Sequence, residues 1–291
     1  MKRTKYASRN IREGYLLIAP LLAGALLFYA APFLLVLRNS VFRGISHSEQ
    51  FVGLQNFRDI PANEVFQLAF GNTLKFLLVS IPLIIIISFA VALLLRGQAQ
   101  KHETLKSVLL LPYIMPVAGT VMLIQLLFAQ TGVLNQGLYT LGLPVTDWLQ
   151  SEHAFGVVVL LYLWKNMGYS VILLLSGLVT LSPEHDQAAE LDGATPWQRL
   201  WYITIPQMWY SIFFTTVFSL INAFKCFREI FLVGGTHPDP SIYMLQHFIN
   251  NAFNNLNYPK LAVASILLLL LLTALFALCY RWVMKKEAYK E

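Results

Sequence analysis

Apolar and polar positions fall in long blocks along this chain. Six runs are almost wholly apolar, residues 15–37, 76–95, 108–128, 155–181, 209–233 and 261–280, and each is about the 20 residues a helix needs to cross a bilayer. The third run contains Pro112 and Pro116, which a membrane helix tolerates when neighbouring helices satisfy the freed carbonyls. The fourth is interrupted at Lys165 and the fifth by Lys225, Arg228 and Glu229. The pattern predicts an all-α, polytopic membrane protein with six transmembrane helices. Residues 15–283 form one transmembrane domain, flanked by a basic tail at 1–14 and a second tail at 284–291.

Composition narrows the class further. Hydrophobic residues make up 57% of the chain and charged residues only 12%, about half the charge of an ordinary soluble domain. The formal net charge of +6 sits next to the apolar runs, as topology requires, and forms no phosphate-binding face. No nucleic-acid partner is predicted. Cys226 and Cys279 both lie in apolar runs, too few and too deep for a disulfide framework or a metal site. The first apolar run is too long for the core of a cleaved signal peptide. No internal repeat, low-complexity segment or separate soluble domain is visible.

The basic residues also give an orientation, because short cytoplasmic segments hold the excess of Lys and Arg. With the N-terminus inside, the inner segments carry 13 basic residues and the outer ones 5. The predicted topology is N-in, C-in, with the 182–206 segment cytoplasmic. That segment is itself acidic, which points to a partner protein and not to orientation.

Residues 182–206 read as two short helices joined by a turn. Ser182 is placed to cap the first, with Pro183 at its first position and Glu184 and Asp186 in its first turn, and Gly193 ends it. Thr195, Pro196 and Gln198 repeat the start signal as a capping box, and the second helix runs to about Ile203, before Pro206. Ala188 and Ala189 allow close approach of another surface, and Trp197, Leu200 and Trp201 lie on an exposed face.

At these residues the chain resembles the integral membrane permeases of binding-protein-dependent ABC importers. Their cytoplasmic "EAA" loop is matched by Gln187-Ala188-Ala189, by Asp192-Gly193-Ala194 and by Ile203-Thr204-Ile205-Pro206, with Gln187 in place of the acidic residue and Ile205 in place of leucine. Val52-Gly53-Leu54-Gln55-Asn56-Phe57 followed by Asn72-Thr73 is similar to the opening of the sugar-permease branch, typified by the larger maltose permease subunit and the glycerol-phosphate permease. Trp164-Lys165-Asn166-Met167-Gly168 and Ala223-Phe224-Lys225-Cys226-Phe227 match that branch in the fourth and fifth runs, and Gly234-Gly235-Thr236-His237-Pro238 looks like a modified Gly-Gly-Pro turn.

The resemblance implies a second homologous permease subunit, two ATPase subunits, an extracytoplasmic substrate-binding protein and a sugar or oligosaccharide as cargo, all working in membrane lipid. It also implies that Gln187, Ala188, Ala189, Asp192, Gly193, Ala194 and Trp197 dock the ATPase.

Independently of the resemblance, Asn166 falls on one face with Tyr169 and Ser170, and Ser219, Asn222 and Lys225 recur at three-residue spacing. Amides, hydroxyls and an aromatic plane suit a sugar. The same residues also serve as glue between membrane helices. Asn166, Tyr169, Ser219, Asn222 and Lys225 are therefore the candidate substrate path. Ionisable groups inside a membrane mark pathways or partners. Pairing is the other role open to them, since Lys225 and Glu229 stand four apart on one helical face. The importer reading also leaves room for another polar solute such as a glycerol phosphodiester.

Other classes find less support. No phosphate-cradling Gly-x-x-x-x-Gly-Lys loop, Gly-x-Ser-x-Gly elbow or His pair at metal spacing occurs. No catalytic residue, metal ligand or cofactor is predicted, and ATP hydrolysis is expected on a separate subunit. A self-sufficient secondary transporter would carry inverted repeats or paired broken helices, and neither is visible.

Overall fold

In this computed structural model the backbone is described for residues 2–44, 49–98 and 103–287. The basic side chains of the two tails, such as Arg3 and Lys286, and Lys101 between the second and third runs, lie outside the described residues. In chain order, α1 (Lys2–Ala25) passes through a wide turn at Leu26–Ala30 into α2 (Ala31–Val41). A small hairpin of β1 (Phe42–Arg43) and β2 (Gln50–Phe51) leads to α3 (Gln55–Asp59) and the long α4 (Glu64–Leu95). Then come α5 (Glu103–Ile114), α6 (Val117–Phe128), α7 (Val133–Thr140) and α8 (Ala154–Thr180). The 182–206 segment holds α9 (Pro183–Leu191), α10 (Pro196–Arg199) and the start of α11 (Ile205–Gln207). The chain ends with α12 (Trp209–Lys225), α13 (Phe227–Gly234), α14 (Leu245–Asn254) and α15 (Tyr258–Glu287).

The hairpin is a departure from the purely helical reading. It is antiparallel, with Phe42 opposite Phe51 and Arg43 opposite Gln50. Five stretches among the described residues are long and apolar enough to cross a membrane: Glu13–Val41, Glu64–Leu95, Val117–Thr140, Ala154–Thr180 and Tyr258–Arg281. Two of the predicted runs are not single helices. The 108–128 run is split at Met115–Pro116, because proline lacks an N–H and disfavours the helical conformation of the residue before it. The 209–233 run is split at Cys226, which leaves α12 only 17 residues long.

The chain forms two compact units, Met1–Phe66 with Ile249–Leu270, and Gln67–Phe248 with Leu271–Glu291. In the first unit, buried Asn56 pins the connection after α2. Its Nδ2 donates to the carbonyls of Ser40 (3.0 Å) and Phe42 (2.9 Å), and its Oδ1 accepts from Arg43 Nη2 (2.8 Å). The asparagine of the sugar-permease-like opening is thus a structural pin.

The second unit is organised around α8. Of its apolar window 56% is buried, against 28% for α4 and 17% for α15. Three packed clusters line it: Phe76, Ile84, Tyr162, Ala223 and Ile230; Ala92, Val171, Leu174, Leu178 and Met208; Ile124, Phe128 and Leu161. Between membrane helices lipid removes most of the hydrophobic driving force, so close packing and polar contacts carry association. Gly168 shows this: a Cβ there would stand 1.7 Å from the carbonyl oxygen of Leu109, so α5 crosses α8 backbone to backbone. The buried Tyr162 hydroxyl donates to the carbonyl of Ser219 at 2.7 Å, tying α8 to α12.

Helix α4 begins earlier than its apolar run because its polar first half is partnered. Asn72 Nδ2 donates to the carbonyls of Pro240 (2.6 Å) and Tyr243 (3.0 Å), and Thr73 Oγ1 accepts from the Leu245 amide (2.9 Å). Lys75 lies over the Phe155 ring, 4.3 Å from its centroid. At the start of α14, buried His247 accepts at Nδ1 from the Met244 amide at 3.1 Å, and burial together with nearby His237 pushes its ring down to about 4. Between α7 and α8, Asp147 accepts from the amides of Gln150 and Leu149 and from the Gln130 side chain, and these bonds hold its carboxyl below the usual range.

Candidate functional site

The 182–206 elbow is built from local signals. The Ser182 side chain accepts from the Glu184 amide, with Pro183 at the first position of α9. At the far end Ala194 N–H donates to Ala189 O (2.9 Å) and Gly193 N–H to Glu190 O (3.1 Å), the doubled closure of a Schellman motif. That closure puts Gly193 at φ 81°, where glycine alone carries no Cβ penalty. Thr195 and Gln198 complete the capping box in both directions. Arg199 pairs with Glu190 at 2.7 Å inside the elbow, and Arg96 pairs with Asp186 at 2.9 Å, anchoring α9 to the end of α4.

The second arm of the elbow runs further than expected. After α10 the chain widens into a π turn at Leu200–Thr204 and stays helical through Pro206 to Gln207. In that turn Ile205 N–H reaches back five residues to Leu200 O, so the ladder is already shifted where proline supplies no donor. Gln187, Ala188, Asp192, Gly193 and Trp197 are exposed, and Ala189 and Ala194 are partly so. Leu191, at 89% exposure, and Trp197, at 68%, leave an apolar surface on this polar segment without cover from the chain itself.

A second feature lies where the interrupted helices converge. A cavity of about 240 Å3 is lined by Tyr113 and Val117 on either side of the Met115–Pro116 break, by Lys165 and Asn166 of α8, and by Asn222, Lys225, Cys226, Arg228 and Glu229 around the Cys226 break. The Lys165 ammonium donates to Glu229 Oε1, joining α8 to α13. Asn166 Nδ2 donates to the Tyr162 carbonyl of its own helix (2.9 Å), and the residue is part of the cavity wall. The Gln246 side chain donates to the Phe224 carbonyl at 3.0 Å; a side chain inserted beside a helical ladder is a recognised cause of a kink.

Of the five path residues read from the sequence, Asn166, Asn222 and Lys225 line this cavity together. Tyr169 and Ser219 are not among its lining residues. Tyr169 instead stacks on Tyr113, ring centroids 4.7 Å apart, and meets the Phe218 edge, while Ser219 is buried and its carbonyl receives the Tyr162 hydroxyl. The pairing of Lys225 with Glu229 does not form, because the helix breaks between them and Glu229 turns to Lys165. Tyr113 escaped the sequence reading. Its one signal was an aromatic hydroxyl in an apolar run, directly after Pro112.

Residues 101–287 match the family described as "Binding-protein-dependent transport system inner membrane component". The chain belongs to this family. Along almost its whole length this permease is similar to the trehalose/maltose transport system permease protein MalF of Thermococcus litoralis, 27% identical over 281 residues covering 95% of each chain. It is likewise similar to the sn-glycerol-3-phosphate transport system permease protein UgpA of Agrobacterium fabrum, 29% identical over 284 residues covering 94% of this chain and 96% of that one. Its fold is shared with a chain of the bacterial alginate ABC transporter solved in complex with an alginate pentasaccharide-bound periplasmic protein, at a TM-score of 0.77 and 20% identity over 93% of this chain and 94% of that one. The permease is thus a membrane-embedded component of a binding-protein-dependent transport system.

Proposed function

We infer that this permease forms half of the path by which an ATP-driven ABC importer takes up a sugar or oligosaccharide. The observation that carries this reading is the polar cavity: among apolar helices, Asn166, Asn222, Lys225 and Glu229 converge with the Tyr113 ring on one opening, and polar and ionisable groups of that density within membrane helices mark a pathway. The relatives named for trehalose/maltose and the structural neighbour solved with a saccharide-bound periplasmic protein support a saccharide as cargo. An extracytoplasmic binding protein delivers it, a second homologous permease completes the path, and two ATPase subunits supply the energy.

The elbow is the coupling element. Gln187, Ala188, Ala189, Asp192, Gly193, Ala194 and Trp197 seat it in a cleft of the ATPase, on the cytoplasmic side. Closure of the ATPase dimer moves the elbow as a rigid body, and the movement converts the cavity between outward and inward access. The excess of basic residues on one set of connections supports six crossings with both termini inside, and α12 with α13 make the fifth crossing as a broken helix.

Gly193→Val tests the elbow. A β-branched residue at φ 81° costs roughly 1–2 kcal/mol and unpicks the Schellman closure. Insertion into the membrane is expected to be normal, because the spans are untouched, while ATP-dependent uptake falls more than about tenfold and the ATPase no longer co-purifies. Normal uptake by Gly193→Val cells would remove the docking assignment. Isolation of the tagged permease in mild detergent followed by mass spectrometry tests the partners: the expected companions are an ATPase and a second permease, and their absence contradicts the importer assembly.

A further inference from the structure

The charges of the cavity do not balance. Its wall carries three cations, Lys165, Lys225 and Arg228, and one carboxylate, Glu229. The carboxylate is committed to Lys165, and both partners of that pair are largely buried, at 13% and 4% exposure. Among the described residues neither Lys225 nor Arg228 has an ion-pair partner. Both side chains are exposed within this chain, and both also line a neighbouring recess of about 380 Å3 whose other walls are apolar, including Leu272 and Phe276. Glu229 Oε2, by contrast, is buried without a hydrogen-bond partner.

Two uncompensated cations among membrane helices are costly unless something anionic visits them. A guanidinium beside an ammonium suits a carboxylate or phosphate, the first gripping two oxygens in its planar fork and the second adding a point charge. The remaining lining groups suit hydroxyls: the side-chain amides of Asn166 and Asn222 can donate and accept, and the Tyr113 ring offers an apolar plane.

We propose, resting on the importer reading above, that the cargo is an acidic saccharide, with its carboxylate or phosphate held by Lys225 and Arg228 and its hydroxyls met by Asn166 and Asn222. Lys165 takes no part in anion binding. It neutralises Glu229, which leaves the balance of the cavity wall to Lys225 and Arg228.

The test uses the whole importer, purified with its companion subunits, reconstituted in liposomes and supplied with its binding protein. It is offered together neutral oligosaccharides from a starch hydrolysate, uronate oligosaccharides from pectin, and glucose 1-phosphate, and the compounds accumulated with ATP are identified by mass spectrometry. Uptake of the uronates or of the sugar phosphate, with neutral oligosaccharides left outside, is expected, and which of the two enters tells carboxylate from phosphate. Accumulation of the neutral oligosaccharides, alone or equally, overturns the proposal. Accumulation of nothing, by an assembly that still hydrolyses ATP, overturns the saccharide reading on which it rests.

The double variant Lys225→Gln/Arg228→Gln is expected to reduce acidic uptake by roughly 10- to 100-fold, the span of a lost hydrogen bond to a charged group. Lys225→Arg, which keeps the charge, should retain most of it, and Arg228→Lys, which keeps the charge but loses the two-pronged fork, should retain more than the neutralised double variant. Unchanged acidic uptake by the neutralised double variant in an intact assembly also overturns the proposal.

Discussion

Gly168→Ala is expected to push α5 away from α8 and to leave a permease that no longer survives extraction in mild detergent as a single species. The added methyl would sit 1.7 Å from the Leu109 carbonyl oxygen and 2.5 Å from its carbon. Those are backbone atoms, so no rotamer change relieves the clash and the two helices must separate. Overpacking of this kind costs about 1–3 kcal/mol, and more where the neighbour is rigid. The damage is also functional, because Tyr113 on α5 and Lys165 with Asn166 on α8 face one cavity.

The control lies on the same helix. A Cβ at Gly156 meets nothing within 4 Å, and an alanine in a helix interior is favoured over glycine by roughly 0.5–1 kcal/mol. Gly156→Ala should be neutral or stabilising. Heating followed by size-exclusion chromatography reads both variants, and equal melting of Gly168→Ala and wild type would remove the close crossing from the account.

The second large effect concerns the pair of Lys165 and Glu229. Glu229→Ala leaves the Lys165 ammonium largely buried without its partner, and breaking a buried pair from one side costs about 3–5 kcal/mol. Replacing both with apolar side chains, Lys165→Met with Glu229→Leu, removes the orphaned charge and is expected to restore most of the folded yield while uptake stays lost. The coupling read from a double-mutant cycle of melting should be well above 1 kcal/mol. Additive effects of the two single changes would mean that the side chains do not stabilise each other, and the tie between α8 and α13 would have to be sought elsewhere.

How much of this was legible beforehand follows from the range of the forces involved. The elbow was readable almost residue by residue, since a cap, a proline at the first position and a glycine at the turn act within four residues of one another. Ser182, Gly193, Thr195 and Gln198 sit where such rules place them. The continuation through Pro206 was missed because proline is read as a stop, and only the π turn upstream shows how the ladder slips past it. The polar beginning of α4 lies outside the apolar run at 76–95 that the sequence marks, because Asn72 and Thr73 find partners some 170 residues away, beyond any local rule.

The candidate path divides in the same way. Asn166, Asn222 and Lys225 could be selected because polar residues in an apolar run are conspicuous, whatever the fold. Their meeting in one cavity, the addition of Tyr113 and the loss of Tyr169 and Ser219 from its wall could not be selected. The amino-acid sequence by itself determined the membrane class, the apolar runs and the two-armed elbow, because hydrophobic run length and capping are properties of adjacent residues. Only the tertiary structure decided that α12 breaks at Cys226 and that Glu229 turns to a lysine 64 positions away instead of to Lys225. It also decided that two cations are left facing the cavity, because ion pairing and kinking depend on which helices pack together.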